Sequence, residues 1–373
     1  MLLLDDKSRG KEKDRPGKTM LLLCSVKKMA SRNLRSEKEE YIHMNRTKLL
    51  AGLLAVAMLL SLAACGQSQP AQTQAPAAQA TEPAQEAPQA ADPAAEAGSI
   101  TVTDMTGREI TLDAPATRIV ALTASDCEIL YAIGAGDTLV GRGEYCDYPA
   151  QVLEVPSVQS GYDTNIEQIL ALEPQVLLMS TMAQTEEQIR QLEAAGVHVV
   201  VSDAQDIEGV YTAIELIGAL MGKDDEAAAV VDSMKAAFAD IQANATGDGS
   251  ETIYFEVSPL EWGLWTAGSQ TFMDEVARML GLTNCFADVE GWAAISEEQV
   301  LERNPDYILT ISMYYGEGPT PEEEIMGRAG WENVTAVQSG AILNLQNDEL
   351  SRPAPRLVDG ARLLFDFVYG AAA

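Results

Sequence analysis

A predicted helix at residues 224–244 constrains the fold of this chain more than any other feature, because it separates two segments that resemble each other. Apolar residues recur along it at three- and four-residue spacings and form one stripe: Ala227, Val230, Val231, Met234, Phe238 and Ile241. Neither Gly nor Pro interrupts it, and three acidic residues at 224–226 suit the positive end of a helix dipole. A helix of this length spans roughly 30 Å, so it can join two lobes as a rigid rod.

The segments on either side of this helix share a pattern that recurs 131 positions apart. Residues 167–178 read EQILALEPQVLL, and residues 298–309 read EQVLERNPDYIL. Each predicts a short helix that is ended by proline and followed by a buried strand. A chance match in a common helix-to-strand connection is the alternative to an internal duplication. We predict an α/β fold of two similar lobes with largely parallel sheets, joined by a single long rigid helix.

Strand and helix patterns alternate from residue 118 onwards, which indicates parallel sheets covered by helices. A small hairpin is predicted at residues 100–112. The boundaries that follow are a first lobe at 99–222, a linking helix at 223–245 and a second lobe at 246–373.

The residues before the first lobe have the features of an export signal. Residues 44–64 combine a basic start, an apolar run and small residues. Cys65 follows them directly and completes the sequence Leu-Ala-Ala-Cys. A membrane-spanning helix is the alternative, but the apolar run is shorter than the roughly 20 residues that a span needs. Residues 65–98 are rich in Ala, Gln and Pro and predict a disordered tether. Residues 1–43 precede a complete signal, so we interpret them as a leader or as untranslated sequence.

The net charge of the chain argues against polyanionic partners. Residues 65–373 carry 12 Lys and Arg against 49 Asp and Glu, a balance of about −37 that argues against nucleic acids and against electrostatic binding to anionic lipid. The sequence Leu-Ala-Ala-Cys at residues 62–65 resembles the lipobox of bacterial lipoproteins, in which the cysteine becomes the lipidated first residue. This resemblance implies membrane attachment through lipid on Cys65, at the outer face of the cytoplasmic membrane.

Little in the sequence suggests catalysis or a bound metal. The only histidines are His43 and His198, and His198 lies in an apolar strand, where we interpret it as structural. No phosphate loop, nucleophile elbow or HExxH motif is present, so we expect neither an enzyme nor a cofactor. Cys127, Cys146 and Cys285 lack metal-ligand spacing; they are interpreted as small buried residues, with a Cys127–Cys146 disulfide as the alternative.

Aromatic residues concentrate in segments that follow predicted strands. In open α/β sheets ligands bind beyond the carboxyl ends of strands, so these aromatics are predicted to face a cleft between the lobes. Packing of each loop onto its own lobe is the alternative. The candidates are Tyr145, Tyr148, Trp262, Trp265 and Trp292.

Cations are few, and two of them follow the predicted strand at 341–345. Arg352 and Arg356 could bind an anionic ligand, or Arg356 could pair internally with Asp348 or Glu349. Arg142 is a further candidate for an anionic ligand.

Taken in order, the motifs resemble the solute-binding proteins of ABC importers for ferric siderophores, haem and cobalamin. They are the lipoprotein signal, the tether, RIVALTASDCEILYAIGAGDTLVG at 118–141, EYCDYP at 144–149, the two repeat copies, the long helix and SRPAPRLVDG at 351–360. The resemblance covers residues 100–370.

The resemblance implies specific roles for several residues. Glu167 and Glu298 would dock onto arginines of a permease dimer with its ATPase subunits, while Tyr145, Trp292 and Asp348 would lie at the ligand cleft. Ala354 stands where the family often has Gly, which puts the shape of that loop in question.

The ligand implied by the resemblance is a metal chelate. A ferric siderophore is favoured because such chelates are often anionic and would suit the three arginines; a corrinoid or haem is the alternative. The protein is expected to act as a monomer. A cell-surface enzyme and a sensor module on the same fold are more distant alternatives.

Overall fold

The computed structural model describes residues 98–161, 164–181, 186–346 and 349–370. It begins with the predicted hairpin, in which β1 (Ile100–Thr103) pairs antiparallel with β2 (Glu109–Leu112). The predicted signal, the tether, the boundaries before residue 98 and Cys65 lie outside the described residues. No helix within the described ranges is long and apolar enough to cross a membrane.

The first sheet has five parallel strands in the order β5-β4-β3-β6-β7. They are β3 (Ile119–Ala121), β4 (Leu139–Gly143), β5 (Ser157–Val158), β6 (Val176–Met179) and β7 (His198–Val201). Its helices are α1 (Ala124–Ala132), α2 (Ile166–Ala171), α3 (Glu186–Ala194) and α4 (Ile207–Met221). The near-continuous burial of β3 and β6 explains their unbroken apolar sequences. This sheet with α1–α4 is called the first lobe below.

The long helix α5 (Asp224–Asn244) follows α4 with only Gly222 and Lys223 between them. Gly222 ends α4 with φ of 62°, a left-handed conformation that glycine adopts at little cost. The predicted apolar stripe of α5 is buried apart from Val230, which is half-buried. Helix α5 packs against α4 and against helices 272–279 and 357–369 of the second half, and its bounds agree with the helix predicted at residues 224–244.

The second sheet has six strands, with β11-β9-β8-β12-β13 as its path and β10 also paired to β8. They are β8 (Thr252–Ser258), β9 (Trp265–Ala267), β10 (Thr283–Asn284), β11 (Trp292–Ala294), β12 (Tyr307–Thr310) and β13 (Ile342–Asn344). The helices are α6 (Phe272–Met279), α7 (Glu297–Arg303), α8 (Pro321–Met326), α9 (Thr335–Ser339) and α10 (Leu357–Tyr369). This sheet with α6–α10 is called the second lobe.

The sequence repeat corresponds to a repeat in the fold. Strand β6 lies between β3 and β7, and β12 lies in the same way between β8 and β13. Each repeat copy ends its helix at a non-glycine residue in the left-handed region, Glu173 with φ of 49° and Asn304 with φ of 45°. A backbone conformation that side chains seldom adopt recurs at equivalent positions, which supports an internal duplication.

The second sheet departs from the prediction at one edge. Strands β9 and β11 run antiparallel to their neighbours, and both were predicted as loop. Helices α8 and α9 were also missed. These elements have only three to six residues, too few for a hydrophobic period to show, so pairing and packing decide their structure.

Candidate functional site

Two of the predicted aromatics lie in the turn at residues 144–149, directly after the carboxyl end of β4. Tyr145 is 79% exposed and Tyr148 is 43% exposed. Arg142 holds this turn, since its guanidinium donates to the backbone oxygens of Gly143, Cys146 and Val155 at 3.0 to 3.2 Å. The turn therefore presents the rings of Tyr145 and Tyr148 outward. The Arg142 guanidinium binds the backbone of the turn rather than offering a free site for an anion.

Two tryptophans extend from the corresponding edge of the second sheet. Trp262 ends a short 3-10 turn after β8 and is 77% exposed. Trp265 opens β9 opposite Ser258, at the carboxyl end of β8, and it is 43% exposed. Because β9 is antiparallel, the chain returns its first residue to the edge where β8 ends, which brings both indoles to that edge.

Trp292 lies in a different environment from these exposed rings. It opens strand β11 instead of lying in a loop, and it pairs with Ala267. Its ring packs on Phe272 with centroids 5.3 Å apart, and its indole Nε1 donates to Gln205 Oε1 of the first lobe at 2.9 Å. Trp292 thus joins the lobes, and its predicted contact with ligand stays a prediction.

The two predicted arginines bind carboxylates of the first lobe. Arg352 Nη1 lies 3.1 Å from Glu128 Oε1 and 2.7 Å from Asp147 Oδ1. Arg356 donates through Nε and Nη2 to the two oxygens of Glu128 at 3.0 and 2.8 Å. The side chain of Glu128 is only 2% exposed. These contacts form an ion cluster that crosses between the lobes, in which Glu128 and both arginines are largely buried and Asp147 is exposed.

Arg356 makes two further contacts in this cluster. Its Nη1 lies 3.4 Å from Glu349 Oε1, one of the two internal partners that the sequence suggested. The other, Asp348, lies outside the described residues. The guanidinium carbon also lies 3.6 Å from the centroid of the Tyr148 ring, a cation–π arrangement. We call Glu128, Asp147, Glu349, Arg352 and Arg356 the interlobe cluster. Its three carboxylates outnumber its two guanidinium groups, so it is not a net positive site.

Sequence reasoning missed Glu128. It lies on α1 between the fully buried Cys127 and Ile129, and a carboxylate among buried apolar residues requires a cation or hydrogen-bond donors. That requirement was visible in the sequence, although the partner was not.

The segment after β12 was missed as well. Met313 is 47% exposed and Tyr315 is 84% exposed, and both follow a carboxyl end of the second sheet. The rule that selected the other aromatics, namely position directly after a strand, would have found them. The far end of this segment is anchored by buried Arg328, whose Nη1 lies 2.7 Å from Glu256 Oε2.

Asp126 is a buried acid near the carboxyl edge of the first sheet. It accepts hydrogen bonds from the hydroxyls of Ser202 and Thr123. Burial raises the pKa of Asp126 to about 6, and nearby Asp203 acts in the same direction. Hydrogen bonds to the two hydroxyls oppose that rise by favouring the charged form.

The predicted docking glutamates occupy matching positions in the two lobes. Glu167 is the second residue of α2, and Glu298 is the second residue of α7. Both side chains are exposed. The pKa of the Glu298 carboxyl is lowered by hydrogen bonds from the backbone N–H of Glu298 and from the Ser296 hydroxyl. Both carboxylates are therefore displayed on the surface at the start of equivalent helices.

The described residues offer no cluster suited to a metal ion. Nowhere among them do three or more His, Cys, Asp or Glu side chains gather in a suitable group. His198 opens β7, the strand in which it was predicted, and its side chain is exposed. Cys127 and Cys146 are buried, and Cys285 is half-buried.

Comparison with known proteins places these features in a family. Residues 119–349 match the family model described as "Periplasmic binding protein". The uncharacterised ABC transporter substrate-binding lipoprotein YvrC of Bacillus subtilis (strain 168) is 31% identical over 329 residues, which is 86% of this chain and 98% of that protein.

Solved structures with a similar fold include a protein from Staphylococcus epidermidis and one from Vibrio cholerae. A possible iron-binding (periplasmic solute-binding) protein from Staphylococcus epidermidis is 30% identical with a TM-score of 0.58, covering 68% of this chain and 99% of that one. The vitamin B12 binding protein BtuF of Vibrio cholerae is 27% identical with a TM-score of 0.57, covering 68% of this chain and 97% of that one. These relatives are substrate-binding proteins rather than enzymes.

Proposed function

Because the chain belongs to the periplasmic binding protein family and is an ABC transporter substrate-binding protein, we propose that it captures a bulky metal chelate and delivers it to a membrane permease. Delivery would take place at the outer face of the cytoplasmic membrane, where lipid on Cys65 would anchor the protein. The resemblance of residues 44–65 to a lipoprotein signal supports this location, as does the lipoprotein relative.

One observation carries the proposal for the ligand. Large side chains are exposed at the carboxyl edges of both sheets, and they are Tyr145, Trp262, Trp265, Met313 and Tyr315. Exposing so much apolar and aromatic surface costs free energy unless a partner covers it. A bulky chelate with extended flat or apolar faces would bury these rings, whereas a small ion would leave them in water.

The charges bear on which chelate is bound. The sequence favoured an anionic ferric siderophore because of Arg142, Arg352 and Arg356, yet all three arginines are engaged by protein groups. An anion would have to displace the buried carboxylate of Glu128 from Arg352 and Arg356, which is costly. We therefore propose a corrinoid, or a ferric siderophore without net negative charge, ahead of an anionic siderophore or haem.

Tryptophan fluorescence tests ligand capture. The purified protein would be titrated with cobinamide, cobalamin, haemin, and neutral and anionic ferric siderophores. Binding is expected to quench Trp262 and Trp265, while the fully buried Trp331 gives a residual signal. Equilibrium dialysis would separate binding from optical absorption by the chelate. The proposal fails if no member of the panel is retained.

The proposed docking to the permease rests on Glu167 and Glu298. Their equivalent positions in two similar lobes suit a receptor of roughly two-fold symmetry. If each pairs with a permease arginine, Glu167→Gln or Glu298→Gln should weaken docking by about thirtyfold or more, because it leaves the arginine unpaired. The double variant should nearly abolish uptake of labelled chelate in cells.

A matched control separates docking from effects on the helix or on ligand binding. Glu302 is exposed on α7, the same helix as Glu298, but lies away from its N-terminus; Glu302→Gln should leave uptake unchanged. Chelate affinity of each purified variant should equal that of the wild type. Normal uptake by the double variant would remove the docking assignment and leave the two glutamates as helix-stabilising residues.

A further inference from the structure

Two buried thiols lie together in the first lobe. Cys127 belongs to α1, Cys146 belongs to the turn after β4, and neither has any solvent exposure. Both Sγ atoms are 4.0 Å from the carbonyl oxygen of Ala121. The fold therefore brings both sulfurs to the same carbonyl oxygen at the end of β3.

The parallel topology explains this placement. Helix α1 starts directly after β3, and β4 is the neighbour of β3 in the sheet, so the residues that follow the two strands meet above the same edge. Cys285 belongs to the second lobe, where it lies beside Arg303 near the start of β8. It cannot compete for either thiol without unfolding.

We propose that Cys127 and Cys146 form a disulfide when the protein matures outside the cytoplasm. The oxidant is an external disulfide, either a small-molecule disulfide or a thiol–disulfide oxidoreductase. One cysteine thiolate attacks it, forms a mixed disulfide and releases one thiol. The second cysteine then displaces the other thiol, so two protons and two electrons pass to the external disulfide. Disulfides persist in exported proteins because the compartments outside the cytoplasm are oxidising.

The burial of the pair determines when the bond forms. The neighbouring Cys146 thiol and burial raise the pKa of the Cys127 thiol well above its ordinary value, and the thiolate is the reactive form. Oxidation therefore takes place while the chain folds and the thiols are still accessible. In the folded protein the same burial protects the finished bond from external reductants.

The bond would connect the parts of the first lobe that face the second. Helix α1 carries Glu128, and the turn at 144–149 carries Asp147 and Tyr148, all of which contact Arg352 or Arg356. A covalent link beside Glu128 would hold the turn, with its candidate ligand residue Tyr145, at a set distance from α1. This consequence for the ligand and the formation of the bond outside the cytoplasm rest on the proposed function; the placement of the two thiols does not.

Refolding tests the bond without reference to a ligand. The full-length protein would be refolded in oxidised and reduced glutathione and alkylated in denaturant. Its cysteine peptides would then be mapped by mass spectrometry without reduction. We expect peptides of Cys127 and Cys146 to be linked and Cys285 to be alkylated. Cys285→Ser should keep the link, and Cys127→Ser or Cys146→Ser should lose it. Hydrogen exchange at residues 144–149 should be faster in the last two variants and unchanged in Cys285→Ser.

The outcomes separate the bond from the location. Alkylation of both Cys127 and Cys146 after refolding, or a link that includes Cys285, would overturn the disulfide. A link in refolded protein that is absent from protein isolated from cells would overturn formation outside the cytoplasm and count against the proposed location as well. Linked Cys127 and Cys146 in both preparations would support the whole proposal.

Discussion

Helices α1 and α6 occupy equivalent places in the two lobes, and their differences are instructive. Each is capped by a threonine, Thr123 or Thr271, whose side chain accepts from the backbone N–H of a buried aspartate, Asp126 or Asp274. Asp274 pairs with Arg278 at 3.0 Å, whereas Asp126 is held by two hydroxyls. The two lobes therefore share the same kind of helix start, but they differ in the charge that surrounds the buried aspartate.

Each of these helices also directs a glutamate to the opposite lobe. Glu128 of α1 binds Arg352 and Arg356. Glu275 of α6 accepts from the backbone N–H of Ile207 at 2.7 Å, at the start of α4. One contact is between opposite charges and the other is a helix-terminus contact, so these two helices join the lobes by different physical means. The two lobes thus have similar folds, but the surfaces with which they face each other are complementary rather than identical.

Removal of the charge on Glu128 should produce the largest effect. Glu128→Gln leaves Arg352 and Arg356, each little exposed, with fewer partners, and breaking a buried charged pair costs about 3 to 5 kcal/mol. We expect the free energy of unfolding in denaturant to fall by that amount.

Asp288→Asn is the matched control for Glu128→Gln. Asp288 pairs with Arg303 within the second lobe at 2.7 Å, but its side chain is 65% exposed, and a surface pair contributes about 1 kcal/mol or less. Equal losses in the two variants would show that the interlobe cluster does not hold the lobes together.

Asp126 should make the stability of the protein depend on pH. Because the pKa of Asp126 is raised from 3.8 to about 6, its contribution to stability is fully present below about pH 4 and is lost as the pH rises through 6. Relative to Asp126→Asn, the wild type should lose on the order of 2 to 3 kcal/mol between pH 4 and pH 7.5.

Unfolding of both proteins across that pH range provides the measurement, with Asp274→Asn in the equivalent helix as the comparison. A wild-type-minus-variant difference for Asp126 that does not change with pH would contradict the burial of an uncompensated acid.

The exposed tryptophans should show the smallest effect and the most selective one. Trp262→Ala removes an exposed ring that makes no core contact, so stability should stay within about 0.5 kcal/mol of the wild type. Chelate binding should weaken by about 1 to 3 kcal/mol, the range for losing an aromatic contact surface.

Trp292→Ala should instead lower stability, since it removes the contact with Phe272 and the hydrogen bond to Gln205. Titration calorimetry and thermal unfolding distinguish the two variants. Unchanged affinity in Trp262→Ala with intact folding would end the assignment of Trp262 to the ligand.

Long elements were the ones that could be predicted from sequence. The bounds of α4 and α5 agree with the predicted 207–221 and 224–244, because fifteen or more residues show several turns of one apolar stripe. The equivalent placement of Glu167 and Glu298 also followed from the repeat. Strands β9 and β11 could not be predicted, since three residues carry no period and their pairing depends on β8.

The sequence by itself determined the α/β alternation, the linking helix and the matching helix starts of the two repeat copies, because each depends on residues close together in the chain. Only the tertiary structure decided the partners of Arg352 and Arg356. Glu128 lies 224 and 228 positions away from them, and no local pattern specifies which buried carboxylate will meet which cation. The physical reason is that a buried charge requires an opposite charge nearby in space, and distance along the chain does not enter that requirement.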